Sequence, residues 1–314
     1  MSKIAFVFPG QGSQSVGMGR DFAEQTEEGR EIFRKADEVL GLSLSKIMLE
    51  GPQEELTLTY NAQPALVTAS MAALKGLENA GITPDFTAGH SLGEYSALAA
   101  SGVLRFEDAV LAVRKRGEFM NTAVPSGQGA MAAIMGMEAA QLKGITDTVT
   151  EEGHSVQLAN LNCPGQIVIS GTAKGVELAS SRAKEAGAKR AIPLEVSGPF
   201  HSELMSPAAD LLAEVLDGME IRDASIPVIA NVTAQPAVDG TEIKQLLVQQ
   251  LTSPVRWEES VRTMIENGVD TFVEIGPGKV LSGLIRKIDR SVKTYSVSDP
   301  ESLQAAITAL KEEN

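Results

Sequence analysis

Short apolar runs alternate along the chain with longer segments of mixed apolar and charged character, an alternation that predicts strands interleaved with amphipathic helices. The strand candidates are Ile4 to Phe8, Ile226 to Ala230, Thr271 to Ile275 and Lys293 to Val297. Each is short and mostly apolar, as a strand covered on both faces must be. Helices are predicted over Glu27 to Leu40, Pro64 to Asn79 with Gly81 as its stop, Phe106 to Thr122, Leu204 to Leu216, Trp257 to Asn267 and Leu303 to Leu310. The fold class that follows is α/β with a mostly parallel sheet.

One stretch follows a different pattern. From Gly129 the order is strand (Ala130 to Ile134), helix (Met137 to Thr150), strand (Ser155 to Leu161), turn (Asn162-Cys163-Pro164-Gly165), strand (Gln166 to Ser170), helix (Ala173 to Glu185) and strand (Lys189 to Leu194). That succession is a small ferredoxin-like (βαββαβ) domain. Its entry, Val124 to Gly129, and its exit, Val196 to Pro199, are Gly/Pro hinges. Residues 127–198 are therefore expected to form a small domain inserted into a discontinuous large one, residues 1–126 and 199–314. A site is expected in the cleft between them.

Composition narrows the function. Hydrophobic residues make up 43% and charged residues 22%, as in an ordinary globular enzyme, and the net charge of -14 argues against a nucleic-acid partner. The apolar run within Met1 to Gly10 is too short for a signal sequence or a membrane span. It reads as a buried first strand, so a cytoplasmic location and no membrane partner are expected. Cys163 is the single cysteine, which excludes an internal disulfide and a multi-cysteine metal site, and no metal is expected.

The chemistry centres on Gly89-His90-Ser91-Leu92-Gly93, the form of a nucleophile elbow. Ile82 to Ala88 can supply the strand before it and Gly93 to Ala100, closed by Gly102, the helix after it, with the helix starting at Ser91. Its N-terminal N–H groups would then face a developing oxyanion. A serine needs a base, and there are three histidines. His90 adjoins the serine and should point away, while His154 sits in a polar loop; His201, just past a Gly-Pro break, is the candidate. Serine before histidine is the chain order of a hydrolase-like fold. Two glycine-rich segments fail as nucleotide loops: Gly10-Gln11-Gly12-Ser13-Gln14-Ser15 lacks the third glycine, and Gly276-Pro277-Gly278-Lys279-Val280 lacks a Ser or Thr after its lysine.

Taken together, Phe8-Pro9-Gly10-Gln11-Gly12-Ser13-Gln14, Gly89 to Glu94, Arg116-Gly117-Glu118-Phe119-Met120, Asn162-Cys163-Pro164-Gly165-Gln166, Phe200-His201, Gln250 before Ser253-Pro254-Val255, and Glu274 to Gly278 make the chain resemble the malonyl-CoA:acyl carrier protein transacylases, end to end. The resemblance implies a serine that takes malonyl from coenzyme A and passes it to holo acyl carrier protein, with no cofactor. It implies Ser91 as nucleophile, His201 as base, and the backbone N–H groups of Gln11 and Leu92 as oxyanion hole. Arg116 would pair with the malonyl carboxylate, with Gln250, Asn162 and Phe200 also in the substrate site. A main-chain carbonyl near Gln250 would orient the imidazole; Glu274 is the rival acid.

Each role has a physical reason. Burying a carboxylate without a partner costs several kcal/mol, and arginine offers the parallel donors that match it. An acidic carrier and a phosphorylated coenzyme also need a local basic patch on an acidic enzyme. Lys189, Arg190, Lys279, Arg286 and Lys287 are the candidates. A serine esterase or thioesterase, a discrete acyltransferase of a polyketide pathway and a binding module remain as alternatives; an intact Ser91 and His201 speak against the last.

Overall fold

The computed structural model describes residues 3–312. The chain begins β1 (Lys3–Phe8), α1 (Arg20–Gln25), α2 (Glu27–Leu40), α3 (Leu44–Glu50), α4 (Gln53–Thr57), α5 (Thr59–Asn79), β2 (Phe86–Gly89), α6 (Gly93–Ala100) and α7 (Phe106–Thr122). Next come β3 (Gly129–Met135), α8 (Ala139–Glu151), β4 (Val156–Cys163), β5 (Gln166–Thr172), α9 (Ala173–Glu185) and β6 (Arg190–Pro193). It closes with α10 (Ser206–Asp217), β7 (Val228–Ile229), β8 (Pro236–Ala237), α11 (Gly240–Gln250), α12 (Trp257–Glu266), β9 (Val269–Ile275), α13 (Val280–Ile288), β10 (Lys293–Val297) and α14 (Pro300–Glu312).

Among the described residues ten strands make two sheets. The first runs β10-β9-β1-β2-β7-β8 and is parallel except at β8. Side chains of β1 alternate between its faces: Phe6 and Phe8 enter the core under α2, α5, α6 and α7, while Ala5 and Val7 enter the core shared with α12 and α13. Phe8 lies opposite Gly89, so the loop after β1 and the turn after β2 leave the sheet side by side at its carboxyl edge. That edge is where open α/β sheets place their ligands.

The second sheet runs β4-β5-β3-β6, antiparallel throughout, the order of a ferredoxin-like unit. Ile134, Ile167 and Ile169 pack with Val176 of α9 in a core of their own. From the other face Met131 and Val168 join the main core. The segment before α12 binds the edge of β4, through Leu161 N–H to Val255 O and Val255 N–H to Ala159 O.

Several elements differ from the sequence reading. The helix expected from Pro64 starts at Thr59, with Pro64 inside it. Proline cannot donate to the carbonyl four residues back, but that carbonyl, on Tyr60, accepts from Arg114 Nη1 at 3.1 Å. The strand expected over Ile82 to Ala88 is only Phe86–Gly89, because Ile82 N–H caps α5 on Leu77 O and Asp85 is tied to Ile4. The strand expected over Ile226 to Ala230 is reduced to Val228–Ile229, with Pro227 before it. Helices α1, α3, α4, α11 and α13 and strand β8 were not expected. For α11 the signal is present: Asp239 caps Glu242 N–H at 2.8 Å.

Candidate active site

The turn after β2 depends on its glycines. A Cβ at Gly89 would lie 1.9 Å from the Gly93 carbonyl, and one at Gly93 would lie 2.2 Å from Phe8 O. Ser91 between them has φ 52°, so the helix starts at Gly93 and not at Ser91 as the sequence suggested. Asn231 braces this turn on both sides, accepting Ser91 N–H at 2.8 Å and donating to Gly89 O at 2.7 Å.

Ser91 Oγ is 2.8 Å from His201 Nε2, and His201 Nδ1 is 2.8 Å from Gln250 O. A carbonyl can only accept, so Nδ1 carries the proton and Nε2 is free to take the serine hydrogen. His201 is 3% exposed, and burial, reinforced by the Arg116 charge, pushes its pKa down to about 3. Its backbone is held from the small sheet, where Gln157 Nε2 donates to His201 O and Gln157 Oε1 accepts Glu203 N–H.

Arg116, on α7, is 1% exposed and lies beneath the serine. Its Nη2 donates to Ser91 Oγ at 3.0 Å and to Gln250 Oε1 at 2.9 Å, and Nη1 donates to Gln63 Oε1 at 2.8 Å. Nε has no partner among the described residues. Burial lowers the guanidinium pKa, opposed by Tyr95 and Glu94. Gln250 is the hub: besides these contacts, its Nε2 donates to Ser91 O at 3.0 Å and to Glu94 Oε2 at 2.8 Å.

In front of the serine lies a cavity of about 380 Å³, whose wall includes Gln11, Gly12, His90, Phe200 and His201. Met131 and Asn160 of the small sheet and Leu194 and Val196 beyond β6 complete that wall, so the cavity lies between the two sheets. Neither the Gln11 nor the Leu92 N–H is taken by another group of the described residues, leaving two donors beside Ser91. Gln11 Nε2 reaches Thr59 Oγ1 at 3.2 Å, and that hydroxyl reaches Ser197 Oγ at 2.9 Å, which ties the first loop, α5 and the segment after β6 together at the cavity wall.

Other candidates lie elsewhere. Asn162 is not in the cavity wall; its Oδ1 is 2.8 Å from His90 Nε2, and that imidazole packs against the Trp257 ring. Glu274 cannot orient His201, because its carboxylate caps α13 through Leu281 and Ser282 N–H. The basic residues are all outside the cavity wall. Arg190 pairs across β3 with the row holding Gln166, and Lys287 Nζ reaches Gln166 Oε1 at 3.3 Å, while the Lys189 side chain packs on Gly136. Those three gather at one end of the small sheet. Arg286 is instead committed to Thr294, and Lys279 stands at the start of α13. Sequence reading missed Gln63, Asn231 and the role of Glu94. Asn231 follows a strand candidate at its carboxyl end, a position that could have flagged it.

The fold and this arrangement define an acyl-transferring α/β enzyme, and the comparisons agree. The family model described as the acyl transferase domain matches residues 5–305. The malonyl CoA-acyl carrier protein transacylase of Bacillus subtilis (strain 168) is 66% identical over 314 residues, covering 100% of this chain and 99% of its own. The acyl-carrier-protein-S-malonyltransferase of Bartonella henselae superposes with a TM-score of 0.95 at 46% identity, over 98% of this chain and 99% of that one. A malonyl-transacylase solved in complex with a type II PKS acyl-carrier protein superposes with a TM-score of 0.95 at 44% identity, over 98% and 100%. The chain belongs to the malonyl CoA-acyl carrier protein transacylase family.

Proposed function

We propose that the chain moves a malonyl group from malonyl-CoA to the phosphopantetheine thiol of holo acyl carrier protein, through an ester on Ser91, to supply extender units for fatty-acid synthesis. The observation that carries this is the convergence on one oxygen: Ser91 Oγ meets both His201 Nε2 and Arg116 Nη2. His201 takes the hydroxyl proton as Oγ attacks the thioester carbonyl. The resulting oxyanion is held by the Leu92 and Gln11 N–H groups. Collapse expels the coenzyme A thiolate, which receives the proton from the imidazolium, and leaves malonyl on Ser91. The carrier thiol then gives its proton to His201, attacks the ester, and releases Ser91 Oγ, which takes the proton back.

Arg116 pairs with the malonyl carboxylate. Its Nη2 hydrogen bond to Ser91 Oγ is yielded as the acyl group enters, and the unpartnered Nε adds a donor. The steps need no cofactor or metal. We take residues 127–198 as the inserted domain and Phe200 as part of the acyl pocket. The group formed by Lys189, Arg190 and Lys287 suits an acidic carrier arriving at the small-domain side of the cleft. No helix among the described residues is long and apolar enough to cross a membrane, and a cytoplasmic place is the natural one for this reaction.

Brief exposure to malonyl-CoA, followed by mass spectrometry, should show a single malonyl ester on Ser91, absent from Ser91→Ala. Label on another residue, or none on the wild type, overturns the mechanism. Transfer from the labelled enzyme to carriers of fatty-acid and polyketide type separates the two pathways.

A further inference from the structure

Arg116 is a buried cation whose three hydrogen bonds to the described residues all go to neutral oxygens. An uncompensated buried charge is costly, so a counter-charge is expected nearby. Among the described residues the one carboxylate acting on it is Glu94, 2% exposed in the first turn of α6 and separated from the guanidinium by the Gln250 amide. Glu94 Oε2 accepts Gln250 Nε2 at 2.8 Å and Asn231 N–H at 3.0 Å. Because Gln250 gives its NH2 end to Glu94, its Oε1 end must face Arg116 Nη2.

We infer that Glu94 is a positioning residue that sets acyl selectivity from behind the site: it orients the Gln250 amide and serves as the standing counter-charge of Arg116, so that an acyl carboxylate must compete with an anion already there. This deepens the reading of Arg116 as the carboxylate's partner and rests on it. A neutral acyl group leaves the Glu94–Arg116 balance as it was. A carboxylate adds a second anion to one cation, and protonating Glu94 relieves that excess. Malonyl selectivity and the protonation of Glu94 are therefore linked.

The groups around Glu94 give this linkage a readable window. Burial raises its carboxyl to about 7, opposed by Asn231, Gln250 and Arg116. Tyr95, on the same helix, is raised well above neutrality, and His201 beyond Gln250 is held down at about 3. His90, in the preceding turn, is also lowered by burial. Burial thus moves the Glu94 carboxyl toward neutrality and moves both histidines below their ordinary value. A simple helix-terminal carboxylate would stabilise α6 and leave selectivity untouched.

The test is the ratio of kcat/KM for malonyl-CoA to that for acetyl-CoA, in which titrations common to both substrates cancel. In the wild type the ratio should rise about tenfold as pH falls from about 8 to about 6, the scale of removing one charge an amide away. Glu94→Gln keeps an acceptor for both donors and removes the charge, so its ratio should be high and flat with pH. A flat wild-type ratio, or a Glu94→Gln ratio that still follows pH, overturns the inference. If Glu94→Gln does not fold, the wild-type series decides alone. Formation of the malonyl ester on Ser91 with a flat ratio refutes this linkage only, whereas failure to form that ester refutes the function on which it rests.

Discussion

Arg116→Ala should redirect specificity and not merely lower activity. The guanidinium is 1% exposed, so malonyl must lose the hydration of its carboxylate to reach it, and only the cation offsets that loss. Truncating one member of a buried, hydrogen-bonded charge pair costs about 2–5 kcal/mol, which lowers kcat/KM for malonyl-CoA by about one and a half to three and a half orders of magnitude. Acetyl-CoA gains nothing from the cation, so its transfer should hold or rise. The substitution also strips donors from Gln63 Oε1, Gln250 Oε1 and Ser91 Oγ, and orphaned buried acceptors cost about 1–3 kcal/mol each. That cost falls on the fold or on both substrates alike. The decisive quantity is therefore the malonyl-to-acetyl ratio of kcat/KM, measured on protein whose melting temperature confirms folding. An equal loss on both substrates would refute the carboxylate role and leave Arg116 as a support for Gln250.

Replacing His201 with alanine should slow malonyl ester formation by about two to four orders of magnitude, the usual worth of a general base, whereas His154→Ala should leave it unchanged; the reverse pattern in stopped acylation assays would overturn the assignment. Because burial holds His201 neutral down to about 3, the base is available throughout the neutral range and is lost only as pH falls toward that value. The pH profile of acetyl-CoA turnover should accordingly show no acid limb at the ordinary imidazole value of about 6.5, and such a limb would mean that His201 is solvated in the working enzyme.

The strands at the middle of the parallel sheet were legible because burial on both faces leaves a continuous apolar run, as in Ile4 to Phe8. The ferredoxin-like unit was legible because period-two and helical segments alternate there with Gly/Pro turns between them. Where polar contacts made across the fold decide the structure, the sequence pattern failed. Pro64 looks like a helix start until Arg114, distant in sequence, supplies the donor that Tyr60 O lacks. The distinctive segment around Asn162 does not announce that its side chain meets His90, beside the elbow serine. Gln63 carried no local pattern and Asn231 only its place just past a strand candidate: an amide becomes part of a site only through what it meets, and both meet their partners across long stretches of chain. The elbow, by contrast, was readable because its constraint is local. At Gly89 a Cβ would strike the backbone of Gly93 and Glu94 just downstream, whatever the rest of the molecule does, while Gly93 is held to glycine by the end of β1.

The two residues proposed to react share a further trait that no local pattern announces. Ser91 has φ 52° and His201 φ 56°, a region that costs a non-glycine residue about 1–3 kcal/mol. Such strain persists only if the surroundings over-determine the conformation. At Ser91 they do so through Asn231 on the N–H and Gln250 on the carbonyl; at His201 they do so through Gln157 on the carbonyl and Gln250 on the ring. Hydrogen bonds net about 0.5–1.5 kcal/mol each, so the two at each residue supply stabilisation of the same order as the strain. Gln250 contributes to both. Its backbone carbonyl fixes the imidazole, its NH2 end holds the serine turn and Glu94, and its Oε1 faces Arg116. Base, nucleophile and cation are thus positioned by one residue at the end of α11, so a shift of that helix end would move all three together. The 2.8 Å contact between Ser91 Oγ and His201 Nε2 consequently depends on the whole polar cluster and not on the pair alone.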